Sequence, residues 1–252
     1  MRTVFLLFLS LTAAFAQGVK LTDAQALEIG RRIWKNECAG TVTGLTSWNK
    51  GENFPSLGIG HFIWYPKGQR GPFEESFPKL AAYLDSEGFP VADWMRGPCP
   101  WNTRAQFMED FNSPRLVALR TLLKDSVAAQ ARFAAHRMED ALPKMLAAAP
   151  ARDREKIKTN FYRVAAEPLG LYALMDYVNF KGEGISPTER YDGHGWGLLQ
   201  VLDTMPTTGA ALPAFARAAD TVLTRRVKNS PPARNEAKWL PGWRNRLATY
   251  TR

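Results

Sequence analysis

Glu37 is the residue whose type and position point most directly to chemistry. It follows Ala26, Ile29 and Ile33 at spacings of three and four, which puts all four on one helical face. A carboxyl that prolongs an apolar stripe should lose solvation, and burial disfavours its charged form. Such a group can hold a proton near neutral pH and donate it to a leaving oxygen, as a general acid must in glycoside cleavage. The structural alternative is a helix-end glutamate paired with a nearby arginine. Two other carboxylates compete for a role. Glu183 lies between Gly182 and Gly184, where a tight loop can approach a ligand closely. Glu52 lies in a polar stretch and reads either as an assisting carboxylate or as a solvated loop residue. Glu189 and Asp192 are expected to pair with Arg190 or Lys181.

Around these residues stand motifs with a family likeness. Glu37, a polar loop and then Ser56-Leu57-Gly58-Ile59-Gly60-His61 resemble phage-type lysozymes, in which a glutamate ends the first helix and a hairpin with T-x-G-x-G-H follows. Leu240-Pro241-Gly242-Trp243, with Arg246 three residues on, is similar to that family's closing L-P-G-x-x-x-R segment. The likeness covers these two stretches only. It implies that Glu37 is the general acid, that Ser56 stands where the family has a threonine beside the scissile sugar, and that His61 supports the acid. Where the family carries a catalytic aspartate, this chain has Asn49, Lys50 and Glu52. Gly195-Trp196-Gly197-Leu198-Leu199-Gln200 is similar to the G-L-M-Q motif of soluble lytic transglycosylases, with Glu183 upstream at about the distance of that family's catalytic glutamate. That likeness makes Glu183 a rival or partner of Glu37. With a single acid/base, a hydroxyl of the sugar itself can attack and leave an anhydro product. Trp48, Trp64, Tyr65, Tyr191 and Trp196 flank the motifs and are candidates for stacking on sugar rings, or for the core. Gln200 could bond an acetamido group or cap nearby backbone.

The elements that must position these residues are mainly helical. Thr22 with Gln25 forms a capping-box pattern, so the first helix starts near Thr22, and Gly40 ends it. The β-branched and aromatic run from Ser56 to Tyr65, with its glycines, reads as a small hairpin, and residues 66–78 as turns. Helices are predicted over Phe77–Ser86, Arg104–Asn112 and Pro114–Ala135, the last with a stripe of Leu116, Leu119, Leu123 and Val127. Residues 137–149 and 153–166 continue as helices broken by Pro143 and Pro150. Further helices are predicted over Gly170–Asn179, Gly195–Met205, Pro213–Lys228 and near Trp243–Tyr250. The fold class is mostly α (α+β): a lysozyme-like helical domain over residues 17–252, in one or two lobes, with a small hairpin after the first helix.

Composition bounds the setting. The 252 residues are 45% hydrophobic and 12% aromatic, enough for a substantial core. Met1-Arg2, the apolar run Val4–Leu9 and Ala14-Phe15-Ala16 form a secretory leader pattern over residues 1–16, too short to span a bilayer. A periplasmic or secreted protein without stable membrane insertion follows. The net charge of +9 attracts polyanions. Export disfavours nucleic acid and leaves peptidoglycan, with its peptide carboxylates, as the expected partner. Cys38 and Cys99, an even count in an oxidising compartment, could form a disulfide tying the loop Gly97–Pro100 to the first helix, or remain two buried thiols. No metal or organic cofactor is implied. There is no CxxC or CxxH pattern, His61, His136 and His194 are scattered, and the glycines around Gly195 lack the strand and Lys-Ser/Thr pair of a phosphate loop. The reading is a glycosidase cutting the β-1,4 bond between N-acetylmuramic acid and N-acetylglucosamine. A chitosanase or chitinase and a non-catalytic wall-binding module are the alternatives.

Overall fold

A computed structural model describes residues 21–71 and 73–252. The predicted leader, residues 1–16, lies outside them. The first helix, α1, spans Asp23–Cys38 and carries the expected capping box: Gln25 N donates to Thr22 Oγ1 at 3.2 Å, and Thr22 N donates to Gln25 Oε1 at 3.0 Å. Ala39 and Gly40 both take left-handed backbone, which stops the helix just beyond Glu37. Ala26, Ile29 and Ile33 are buried as the stripe required.

A three-stranded antiparallel sheet follows, ordered β1 (Thr46–Ser47), β2 (Ser56–Leu57), β3 (Phe62–Ile63), with Ser47 opposite Ser56 and Ser56 opposite Ile63. The hairpin is thus present, with an extra strand from the loop before it. Its turn is fixed from below by Gln130, which is fully buried. Gln130 Oε1 accepts from Ile59 N at 2.9 Å, and its amide nitrogen donates to Leu123 O and Ser126 Oγ. Gly58, at φ 71°, is required here: a Cβ would come within 2.4 Å of Gln130 Oε1.

The remainder is helical: α2 (Phe77–Ser86), α3 (Asp93–Arg96), α4 (Arg104–Glu109), α5 (Pro114–Asp125), α6 (Val127–Ala148), α7 (Arg154–Ala165), α8 (Gly170–Lys181), α9 (Leu198–Thr204), α10 (Ala211–Asn229) and α11 (Leu240–Leu247). The long α6 packs chiefly on α1 and also meets α2, α7 and α8. Two expectations about breaks are corrected. The predicted helix over 114–135 divides at Ser126, which is fully buried and donates its hydroxyl back to Leu122 O at 2.7 Å. Pro143 does not break a helix but lies inside α6. A mid-helix proline costs about 3 kcal/mol; here Met138, Ala141, Leu142 and Met145 are buried on both sides of it, and their packing overrides the local preference.

A second sheet pairs β4 (Arg190–Tyr191) with β5 (His194–Gly195) across Asp192-Gly193, both at positive φ. The possible disulfide is also corrected. Cys38 and Cys99 are free, buried thiols, the first with Sγ 3.5 Å from Gly58 O and the second 3.4 Å from Trp101 O. The Cys99 loop is drawn elsewhere, by a bridge to Pro66 and by Trp101, which joins Trp64, Trp94 and Phe107 in an aromatic cluster. Burial pushes each thiol up to about 12. Among the described residues, no helix is long and apolar enough to cross a membrane.

Candidate active site

Glu37 sits where the end of α1 meets the hairpin and α11. Its side chain is 11% exposed. The surroundings are not the apolar ones its stripe suggested. Arg246 Nη2 donates to Glu37 Oε1, and His61 Nδ1 lies 3.4 Å from Glu37 Oε2. His61 reaches this position because its backbone takes left-handed φ (48°) at the hairpin turn.

Behind this pair stands a buried ionic core. Asp176 on α8 is fully buried and receives Arg246 Nε at 2.8 Å, Arg246 Nη2 at 2.9 Å, Tyr250 OH at 2.7 Å and Asn36 Nδ2 at 3.0 Å. Burial pulls the Arg246 guanidinium down, but the charge and hydrogen bonds of Asp176, with Glu37 adding to them, outweigh it and hold Arg246 above its ordinary range. The guanidinium also lies over the Phe180 ring, 4.4 Å from its centroid. Asp176 therefore matches most of Arg246's charge before Glu37 is counted, and it fixes where that guanidinium points.

Two cavities meet at Asn49 and His61. The narrower, about 470 Å³, is lined by Glu37, Thr46, Ser47, Trp48, Arg104 and Phe111 among others. The wider, about 880 Å³, runs past Glu52, Ser56, Phe73, Lys181, Glu183, Tyr191 and Trp196. Sharing two wall residues, they form a trough of the size that small-molecule and oligomer sites occupy. Its far wall is rigid. Glu236, buried, accepts from Tyr191 OH at 2.8 Å, Arg226 Nε at 2.7 Å and Arg234 Nε at 3.0 Å, while Arg226 stacks 4.1 Å over Trp196. Burial pushes the Glu236 carboxyl up, but the hydrogen bonds from Arg226 and Tyr191 and the arginine charges outweigh it and hold the group below the usual carboxylate range.

The structure distributes the sequence candidates unevenly. Glu37 and His61 are together. Ser56, Glu52, Glu183, Tyr191 and Trp196 line the wider arm. Trp64 is 1% exposed, stacked on Trp94, tilted against Phe77 and edge-on to Trp101, so it is core and not a groove residue. Gln200 is already used: its Oε1 accepts from Gly197 N at 2.9 Å and its Nε2 donates to Gly184 O at 3.0 Å, clamping the Glu183 loop to the start of α9. Glycine is required at 197, because a Cβ there would lie 2.2 Å from Gly184 N. Lys181, expected beside Glu189 or Asp192, instead packs against the rings of Trp243 and Phe180.

Residues the sequence reading missed are Asp176, Glu236, Arg226 and Phe73. Phe73 is half exposed at the rim of the wider arm, with its ring edge-on to Phe54. Its only sequence signal was an aromatic in a turn-rich stretch. Among the described residues, no group of three or more His, Cys, Asp or Glu side chains could hold a metal ion. The chain matches no known protein family, no curated protein and no solved structure.

Proposed function

We propose that this protein is an exported, lysozyme-like glycosidase that cuts the β-1,4 bond between N-acetylmuramic acid and N-acetylglucosamine in peptidoglycan. The observation that carries the reading is Glu37: a nearly buried carboxyl at a helix end, held between His61 and Arg246, on the wall of a long trough. A general acid must be fixed within hydrogen-bonding reach of the leaving oxygen; a helix end backed by a buried arginine supplies that rigidity, and the reading rests on it in place of the apolar surroundings expected from the sequence. Glu37 protonates the glycosidic oxygen as the C1–O bond breaks. The sugar cation is then captured by water, with Glu52 or Glu183 assisting, or by a hydroxyl of the same sugar. Water gives a reducing end; the internal hydroxyl gives an anhydro sugar and is the transglycosylase outcome. Tyr191 and Phe73 present ring surfaces along the wider arm on which the C–H faces of sugars can stack, while Trp196, buried under Arg226, supports Tyr191 from behind.

The test is digestion of purified peptidoglycan sacculi, with soluble products analysed by mass. Anhydro-muropeptides identify a transglycosylase and reducing muropeptides a hydrolase. Glu37→Gln keeps the shape and removes the proton, and should lower the rate by at least about a hundredfold without lowering the melting temperature. Unchanged sacculi, or full activity in Glu37→Gln, would refute the reading.

A further inference from the structure

Lys181 ends α8 at the floor of the wider arm, and nothing in the proposed cleavage step uses it. Its Nζ lies 3.6 Å from the Trp243 ring centroid and 3.9 Å from that of Phe180. Among the described residues, no carboxylate comes within ion-pairing distance of it. The neighbouring cations are already matched: Arg226 by Glu236, and Arg246 by Asp176 and Glu37. Lys181 is thus a largely desolvated ammonium on the trough wall whose close partners are ring faces, with Glu236 and Glu37 acting on it from beyond ion-pairing distance. Desolvating a cation is costly, and ring faces return part of that cost. A carboxylate in the trough would return much more, through a charge-assisted hydrogen bond.

We propose that Lys181 Nζ forms a carboxylate subsite of the trough, taking an acidic group that a peptidoglycan strand carries and a chitin strand lacks. The proposal rests on the glycan reading above. The acidic group has two sources in peptidoglycan, the lactyl carboxylate of an unsubstituted N-acetylmuramic acid and the carboxylates of the stem peptide, and both offer the same chemistry to the ammonium.

Burial, with Arg226 and Arg246 adding to it and Glu236 and Glu37 opposing, lowers the Lys181 ammonium to about 7. Anion binding there should therefore weaken as the pH rises through neutrality, because the neutral amine offers no charge.

Equilibrium binding to full-length protein in a Glu37→Gln background, with and without Lys181→Met, tests this. The probes are soluble peptidoglycan strands with stem peptides, the same strands stripped of their stems, and chitohexaose. Lys181→Met should weaken binding of at least one of the two anionic strands on the order of tenfold, and of chitohexaose less than about twofold. Loss confined to the intact strands assigns the stem carboxylates; loss confined to the stripped strands assigns the lactyl carboxylate, which stripping frees from its amide bond; loss on both shows that the ammonium takes either. Without the Lys181 substitution, affinity for the anionic strands should fall between about pH 6 and about pH 8, a readout that does not depend on how well the variant folds. Equal loss on all three probes, or no loss on either anionic strand, overturns the subsite while leaving the glycan reading standing. If no probe binds, the glycan reading falls and the subsite with it.

Discussion

Lys181 makes a quantitative prediction about stability. In the folded protein its ammonium is lowered from 10.5 to about 7, chiefly by burial. A base with a depressed folded value is a burden wherever the unfolded chain is protonated and the folded chain is not. Folding then releases a proton, and stability rises with pH from about 7 until the unfolded lysine titrates. Below about 7 both states carry the proton and the burden is constant. Integrating the linkage relation from pH 7 to pH 9 gives a gain of about 2 kcal/mol for the wild type. Above pH 9 the trend reverses, because Cys38 and Cys99 are raised from 9.0 to about 12 and ionise first in the unfolded chain. Lys181→Met removes the first effect and leaves the second. The variant should be the more stable protein at neutral pH, and its margin over the wild type should shrink by about 2 kcal/mol between pH 7 and pH 9. Urea denaturation at constant ionic strength across that range measures the margin directly. Parallel curves for the two proteins would show that Lys181 is well hydrated in solution, and the argument from its burial would fail.

Three further outcomes are expected. Asp176→Ala leaves Arg246, Tyr250 and Asn36 without their shared acceptor in a buried site and should cost about 3–5 kcal/mol in urea denaturation; a loss under about 1 kcal/mol would mean the cluster is not closed in solution. Cys38 and Cys99 should be silent to a thiol reagent in the native protein and give two free thiols on denaturation without reductant; finding none would restore the disulfide. Phe73→Ala, at a half-exposed rim position, should leave the denaturation midpoint nearly unchanged while weakening chitohexaose binding by roughly 1 kcal/mol through lost apolar contact; unaltered binding would remove Phe73 from the sugar path.

What the sequence disclosed was local. The capping box at Thr22, the bounds of Phe77–Ser86 and the turn around Gly58 depend on neighbours within a few residues, and each is present as read. Pro143 misled because a local penalty was outweighed by packing from elsewhere. The β4–β5 ribbon was missed although Asp192-Gly193 is a strong turn signal, because two-residue strands leave no alternation to detect. At the site, the outer members of the ionic cluster were legible and its buried centre was not. Glu37, His61 and Arg246 stood out by motif, but Asp176 lies within the helical run Leu174–Tyr177 and Glu236 follows a turn, with nothing local to mark either. Asp176 takes its role from Arg246, 70 residues away, and Glu236 joins the near Arg226 and Arg234 to Tyr191, 45 residues away, distances over which spacing carries no information. Trp64 and Gln200 show the converse: both have the right chemistry for a ligand, and the fold commits both to its own interior.

Glu37 and the arginine that steadies it are separated by 209 residues, with Asp176 joining them from between. The pocket around Glu37 therefore forms only when three segments far apart in the chain, α1, α8 and α11, have come together. A partly unwound chain would carry Glu37 without its guanidinium, a glutamate with no fixed aim. The aim of that carboxyl is thus a property of the whole fold and not of any one segment.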